Sequence, residues 1–232
     1  MKERQDLSRF YSLLLLVALP FPLWASPAAP LEPPKIQALL KPQVYKRVLD
    51  REVMTHASLD AVPEQEGTKK YSYYAAMLVR AGFDFTRRIM TDYQLYSKMI
   101  PYVDEATFDK RTRVLKLAGG IWNFKLLSWV RFEEVSSRWL KYEIIQGHFQ
   151  GLKGDIFFET QGEKGTIIYL RGDLTGTRWP PTFVVERGAE IVFDFTGRKM
   201  KKYIEEVKTT GEPSSNGSKE KDDFPKPKQN RL

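Results

Sequence analysis

The chain of 232 residues contains no cysteine and only two histidines, His56 and His148. The absence of cysteine excludes disulfides, thiolate nucleophiles, cysteine-ligated zinc and lipid attachment through an N-terminal cysteine. The two histidines stand far apart, in different predicted strands, which argues against a histidine-rich metal site and against a Ser/His/Asp triad. We therefore expect neither a bound metal nor another cofactor. His148 could act as a general base, but a structural or surface role is favoured.

The sequence also lacks the common short motifs of catalysis and nucleotide binding. It contains no nucleophile elbow, no phosphate-binding loop and no dinucleotide fingerprint, so hydrolytic and redox reactions have no support. The formal net charge is +8, but lysines and arginines alternate with acids and form no arginine-rich block. This distribution indicates a solvated basic surface, and we expect no nucleic-acid partner.

The N-terminus has the pattern of an export signal. Residues 1–9 carry Lys2, Arg4 and Arg9, an uncharged apolar run follows at residues 10–24, and small residues come next. The run is shorter than the roughly 20 apolar residues that a membrane-spanning helix needs. We therefore predict a signal peptide over residues 1–25, cleaved after Ala25 or Ala28, and a periplasmic or secreted protein. The alternative is an uncleaved N-terminal anchor.

Composition divides the rest of the chain into three parts. Residues 26–35 form a spacer rich in proline and alanine, and residues 209–232 form a polar tail that we predict to be disordered. Between them, residues 36–208 have the apolar content of one folded domain. Its first segment, residues 36–49, has helical spacing with a predicted break at Pro42. A second helix is predicted to begin at Phe85 with Asp84 as its N-cap.

Most of the domain has the alternating pattern of strands. Two strands precede the Phe85 helix, and six more follow it between residues 103 and 174, separated by short turns that require antiparallel pairing. Each strand has one apolar face, which needs a cover, and residues 183–207 supply it with near-helical apolar spacing. We predict an α+β fold in which a curved antiparallel sheet of about seven or eight strands wraps a long C-terminal helix, with two short helices after the first long strand.

Two sequence stretches resemble a known family, and the helix predicted after Pro180 and Pro181 has the position of that family's gripped helix. MTDYQLYSKMIPYV at residues 90–103 is similar to the "L-T-D-Y-x-x-Y-P-x-F-I-P-x-V" signature, and GHFQGLKGDIFFE at residues 147–159 to the "G-x-F … G-x-W-x-L-E" strand pair. Both belong to the polyketide-cyclase and coenzyme-Q-binding branch of the START-like (SRPBCC) superfamily. The resemblance implies a helix-grip fold that holds a hydrophobic molecule between its sheet and its last helix.

We therefore predict an exported protein that binds or transports a lipid, a quinone or a polyketide-like molecule, with possible transient membrane contact. Among the candidate cavity residues, Tyr142 and Thr196 each direct a hydroxyl toward an apolar interior, so each needs a partner from a ligand or from the backbone. The candidates are the large residues predicted to point inward: Tyr93, Trp122, Phe124, Tyr142, Ile144, Ile156, Phe158, Leu170, Val192 and Thr196.

Two alternatives stay open. The first is a cyclase or dehydrase using the same cavity, although the carboxylates Glu143, Asp155 and Glu159 all alternate outward. The second is a protein-interaction module, because Leu127 and Trp129 lie on the otherwise polar face of their strand, unless the N-terminal helix covers them. The sequence does not indicate the oligomeric state.

Overall fold

The computed structural model describes residues 32–121 and 124–211. The predicted signal peptide (1–25), most of the spacer and residues 212–232 of the predicted tail lie outside these ranges. The last helix ends at Thr210, two residues beyond the predicted domain boundary at residue 208.

The described chain contains five α-helices, one 3₁₀ turn and eight strands. The helices are α1 (Ile36–Leu39), α2 (Pro42–Leu49), α3 (Phe83–Thr91), α4 (Tyr96–Met99) and α5 (Thr182–Thr210), with the 3₁₀ turn Tyr93–Leu95 before α4. The strands are β1 (Met54–Ala61), β2 (Lys69–Val79), β3 (Val103–Asp109), β4 (Val114–Ile121), β5 (Phe124–Ser136), β6 (Trp139–Gly147), β7 (Lys153–Gln161) and β8 (Gly165–Gly176).

All eight strands belong to one antiparallel sheet. Their spatial order is β1-β2-β8-β7-β6-β5-β4-β3, so sequential hairpins build β3 to β8 and the last of these strands returns to pair with β2. The predicted α+β architecture is confirmed, including the two short helices between β2 and β3. The predicted break at Pro42 is also found, because Pro42 occupies the first turn of α2, where a missing N–H costs nothing.

Helix α5 covers the concave face of the sheet. It starts directly after Pro180 and Pro181 and ends at Gly211, whose left-handed backbone (φ 74°) allows its N–H to bond the Val207 carbonyl. Its inward side chains Tyr203 and Ile204 are buried in the core. The sheet and this helix together enclose the main core of the protein.

Carboxylates fix α5 to the strands at both of its ends. Near its start, Glu186 accepts a hydrogen bond of 2.9 Å from the backbone N–H of Leu59 in β1, the strand at one edge of the sheet. Near its end, Glu205 accepts two 2.8 Å bonds from the Arg51 guanidinium and one of 2.8 Å from the backbone N–H of Arg80. These bonds fix the distance of the helix from the sheet, and hence the space between them.

The prediction that each strand buries only one face is wrong for the middle of the sheet. A second core lies on the convex side, where Ile36, Leu40 and Val48 of the N-terminal helices pack against strand residues. Those strand residues are Ala76, Phe157, Ile167 and Tyr169. The unbroken apolar runs of β7 and β8 are typical of strands that are covered on both sides.

Two local predictions are also corrected. Helix α3 begins at Phe83 with Gly82 as its N-cap, so Asp84 lies in the first turn, where its negative charge favours the positive end of the helix dipole. The second core that the N-terminal helices form does not include Leu127 or Trp129, which are half-buried on the outer face of β5.

Candidate ligand-binding cavity

A cavity of about 200 Å³ lies between the concave face of the sheet and α5. Its wall consists of side chains from β2 and β4 to β8, from the helices α3 and α4, and from the middle of α5. The lining is aliphatic and aromatic, and its polar side-chain groups are the hydroxyls of four tyrosines and of Thr196, which form hydrogen bonds. An apolar wall with a few placed polar groups is the usual form of a small-molecule site.

Half of the ten predicted cavity residues line this space. They are Tyr142, Ile144, Ile156, Leu170 and Thr196. The alternation of β6, β7 and β8 placed the first four correctly, because successive side chains of a strand point to opposite faces.

The other five do not line it in the described residues. Tyr93 stacks on Phe132, with 4.3 Å between ring centres, and is core packing; Phe158 is 2% exposed within the same core. Val192 is half-buried and contributes its backbone carbonyl to Thr196. Trp122 lies outside the described residues, and for Phe124 only the backbone position at the start of β5 is described.

Three tyrosines and three methionines of the wall, Tyr73, Tyr96, Tyr102, Met77, Met90 and Met200, are not among the ten predicted cavity residues. Tyr73 lies in the strand β2, whose alternating pattern is the signal that could have identified it. Tyr102 follows Pro101 after α4 and has no strand or helix periodicity to mark it. Met77 and Met200 complete the wall from the sheet and from α5.

Two of the cavity tyrosines are held over a pair of glycines. Tyr73 on β2 is opposite Gly172 on β8, Gly172 is opposite Gly154 on β7, and Gly154 is opposite Tyr142 on β6. Paired residues point to the same face, so the two phenol rings extend toward each other across the glycines, and their hydroxyls meet in a short hydrogen bond. We call these four residues the tyrosine–glycine row. Glycine inside a strand is typical of such a close approach.

The hydroxyls of the wall bond to the protein. Tyr142 donates to the backbone carbonyl of Arg171 at 2.9 Å, and Tyr96 donates to that of Met90 at 3.0 Å. Thr196 donates to the carbonyl of Val192 at 2.6 Å, and its oxygen lies 3.3 Å from the hydroxyl of Tyr102. The predicted need of Tyr142 and Thr196 for partners is thus met by the backbone.

Burial keeps these phenols protonated. Loss of solvent raises the pKa of Tyr73, Tyr96, Tyr102 and Tyr142 above the usual value, because the apolar surroundings disfavour a phenolate. For Tyr142 the neighbouring Tyr73 raises the pKa further. The phenols therefore act as neutral hydrogen-bonding groups at physiological pH.

Other candidate sites in the described residues lie elsewhere. His148 is exposed after β6, where its Nδ1 lies 3.1 Å from both the backbone nitrogen and the carbonyl oxygen of Leu127. Within residues 32–121 and 124–211, no three His, Asp or Glu side chains cluster as around a metal ion. No helix in these ranges is long and apolar enough to cross a membrane.

A larger hollow of about 720 Å³ lies on the convex face of the sheet. Its charged side chains include the ion pairs Lys70–Asp173 (3.2 Å) and Arg171–Asp155 (2.9 Å), so much of its charge is already neutralised. We take the smaller cavity under α5 as the candidate site, because it is apolar and enclosed by the core.

Solved structures with this architecture identify the fold. Over 59% of this chain and 98% of the other, the structure superposes on a START superfamily protein from Mycobacterium smegmatis with a TM-score of 0.52 and 14% identity. The chain has the START-like helix-grip fold. The Zhui aromatase/cyclase from Streptomyces sp. R1128 is similar to the same degree, with a TM-score of 0.52, 13% identity and coverage of 62% of this chain and 99% of that one. Comparison with protein-family models and with curated proteins finds no match.

Proposed function

We propose that this START-like protein binds and carries a neutral hydrophobic small molecule, such as a lipid, a quinone or a polyketide-like ring, in the cavity under α5. The observation that supports this most is the apolar wall, whose polar groups are neutral hydroxyls already bonded to the protein. An ionised group moved from water into such a wall would cost several kcal/mol.

The cavity volume sets the size of the enclosed part of the ligand. About 200 Å³ is smaller than the roughly 300–1,000 Å³ of sites for drug-sized molecules, so a ring system or one end of a longer molecule fits. A group the size of an aromatic side chain buries about 150–250 Å². At about 25 cal/mol per Å² this gives about 4–6 kcal/mol before the costs of binding.

The test is native mass spectrometry of the protein purified from its own envelope, with organic extraction of the bound molecule. We expect a co-purifying neutral ligand, and we expect Ala75→Phe to abolish its retention because Ala75 lines the cavity and a phenyl ring there occupies the ligand's space. Ala61→Phe is the matched control, since Ala61 is exposed at the end of β1.

If the extract contains no ligand and a panel of lipids and quinones also fails to bind the wild-type protein, the cavity is not a carrier site. Equal retention by wild type and Ala75→Phe would also contradict the proposal, because it would place the ligand elsewhere.

A second candidate is a cyclase that uses the same cavity, which the structural likeness to an aromatase/cyclase favours. Incubation with a polyketide-like chain of β-carbonyl groups distinguishes the two. Ring formation faster than in the Ala75→Phe variant supports the enzyme, whereas binding without conversion supports the carrier.

We also propose that the protein acts outside the cytoplasm, because residues 1–25 have the charge, apolar run and small residues of a signal peptide. We expect the mature protein in the envelope or medium to begin at Ser26 or Ala29. Leu15→Arg, in the apolar run, should retain the full chain in the cytoplasm, and Leu31→Arg, beyond the run, should not. Export of the Leu15→Arg variant would contradict the proposal, and N-terminal sequencing with fractionation measures both outcomes.

A further inference from the structure

The hydroxyl protons of the tyrosine–glycine row can be assigned from the oxygen positions. The Tyr142 hydroxyl oxygen lies 2.9 Å from the Arg171 carbonyl oxygen, which can only accept a hydrogen bond. A proton must lie between these two oxygens, and only Tyr142 can supply it. The single phenol proton of Tyr142 is therefore used on the backbone.

This assignment determines the direction of the bond between the two tyrosines. Tyr142 has no second proton to give, so its oxygen accepts and Tyr73 donates in their short hydrogen bond. The proton of Tyr73 is then used as well. What remains available on the Tyr73 oxygen is a lone pair, and Tyr73 is one of the residues that line the cavity.

Two other hydroxyls of the wall also donate their protons to the protein. Tyr96 gives its proton to the Met90 carbonyl and Thr196 gives its proton to the Val192 carbonyl. The Thr196 oxygen also lies 3.3 Å from the Tyr102 hydroxyl, a longer contact than its 2.6 Å bond to the Val192 carbonyl. The protons of these hydroxyls are directed at protein oxygens.

From this arrangement we propose that the polar group of the ligand is an uncharged hydrogen-bond donor, a hydroxyl of an alcohol, phenol or hydroquinone, and that the Tyr73 oxygen accepts its proton. This inference rests on the proposed function and narrows it, because it favours hydroquinones over quinones and alcohols over ketones. A carbonyl brought to the same position would put two acceptor oxygens together without a proton between them.

The expected selectivity follows from the cost of leaving a buried polar group unpaired. That cost is about 1–3 kcal/mol, which corresponds to roughly tenfold to a hundredfold in the dissociation constant. The glycines make the arrangement rigid, because the two phenol rings lie directly over the Gly154 and Gly172 backbone and have little space to turn.

The experiment compares β-tetralol with β-tetralone, an alcohol and a ketone of the same bicyclic skeleton, by isothermal titration calorimetry on the mature protein. We expect the wild-type protein to bind the alcohol at least about tenfold more tightly than the ketone.

In Tyr142→Phe the proton of Tyr73 is released and becomes available to a ketone. We therefore expect the affinity for β-tetralone to rise and the preference to fall to about twofold or less. Tyr203→Phe, which removes a buried phenol oxygen outside the cavity wall, should leave the preference unchanged.

The outcomes separate this inference from the proposed function. Equal binding of the two probes by the wild-type protein, or tighter binding of the ketone, would overturn the donor inference while leaving the carrier function intact. An alcohol preference that survives Tyr142→Phe would show that the Tyr73 oxygen is not the selecting group. Failure of both probes to bind, together with a ligand-free purified protein, would overturn the carrier function itself.

Discussion

Replacing Gly172 with alanine is expected to destabilise the protein by at least about 2 kcal/mol. A Cβ atom on Gly172 would lie 2.5 Å from the Tyr142 hydroxyl oxygen and 2.8 Å from that of Tyr73, both closer than carbon and oxygen can approach. The two rings pack in the core, so neither can move without losing contacts. Urea denaturation followed by circular dichroism measures the loss.

The matched control is Gly188→Ala in α5, where a Cβ would meet no atom within 4 Å. Alanine restricts the unfolded chain and suits a helix interior, so this variant should be more stable than wild type by about 0.5–1 kcal/mol. The same chemical change is thus expected to have opposite signs at the two glycines. A Gly172→Ala variant with the stability of the wild-type protein would contradict the close packing of the tyrosine–glycine row.

A double-mutant cycle identifies the atom responsible. Tyr142→Phe removes the oxygen nearest to the new Cβ of Gly172→Ala, so the double variant should lose less stability than the sum of the single variants. We expect a coupling of about 1 kcal/mol, within the range for residues in contact. The Lys153 carbonyl oxygen, 2.8 Å from the same Cβ position, prevents a complete rescue. Additive losses of stability in the double variant would mean that the contact with the backbone, and not the Tyr142 oxygen, causes the destabilisation.

Alternation within the strands was sufficient to predict the concave face. Ile144, Ile156 and Leu170 point into the cavity. Successive residues of a strand point to opposite faces, so knowing which set of alternate residues is apolar is enough to assign the buried face. Short turns were likewise sufficient for the antiparallel order of β3 to β8. The long helix was predicted because the exposed apolar face of a sheet needs a cover.

Contacts that depend on pairing between strands far apart in the chain could not be predicted from the sequence. The tyrosine–glycine row requires Tyr73 to face Gly172, a pairing across 99 residues that the local pattern does not encode. The glycines themselves were a usable signal, since Gly154 and Gly172 interrupt apolar strands where no turn is needed. The second core was missed for a similar reason, because the apolar run of β7 was interpreted as a strand with one buried face.

Glu205→Ala is expected to destabilise the protein by about 2–3 kcal/mol, which is below the full cost of breaking a buried ion pair because about a quarter of the Glu205 side chain stays exposed. Glu205 accepts two bonds from Nη2 of Arg51 and one from the backbone N–H of Arg80, so its loss leaves these two donor nitrogens without their acceptor. Arg51 also has a left-handed backbone (φ 71°), which costs about 1–2 kcal/mol for a residue with a side chain and which these bonds help to hold.

Glu206→Ala is the neighbouring control, because Glu206 has only a 3.8 Å ion pair with Lys202 on the surface and should change stability by less than about 0.5 kcal/mol. The double variant Arg51→Ala with Glu205→Ala should lose less stability than the sum of the losses in the two single variants, since removing both charges leaves neither of them unpaired.

Helix α5 supplies one wall of the cavity, so Glu205→Ala should also weaken ligand retention although Glu205 does not line the cavity. Chemical denaturation and native mass spectrometry on the same samples test both effects. A stable Glu205→Ala variant with full retention would show that packing alone holds the C-terminal half of α5 against the sheet.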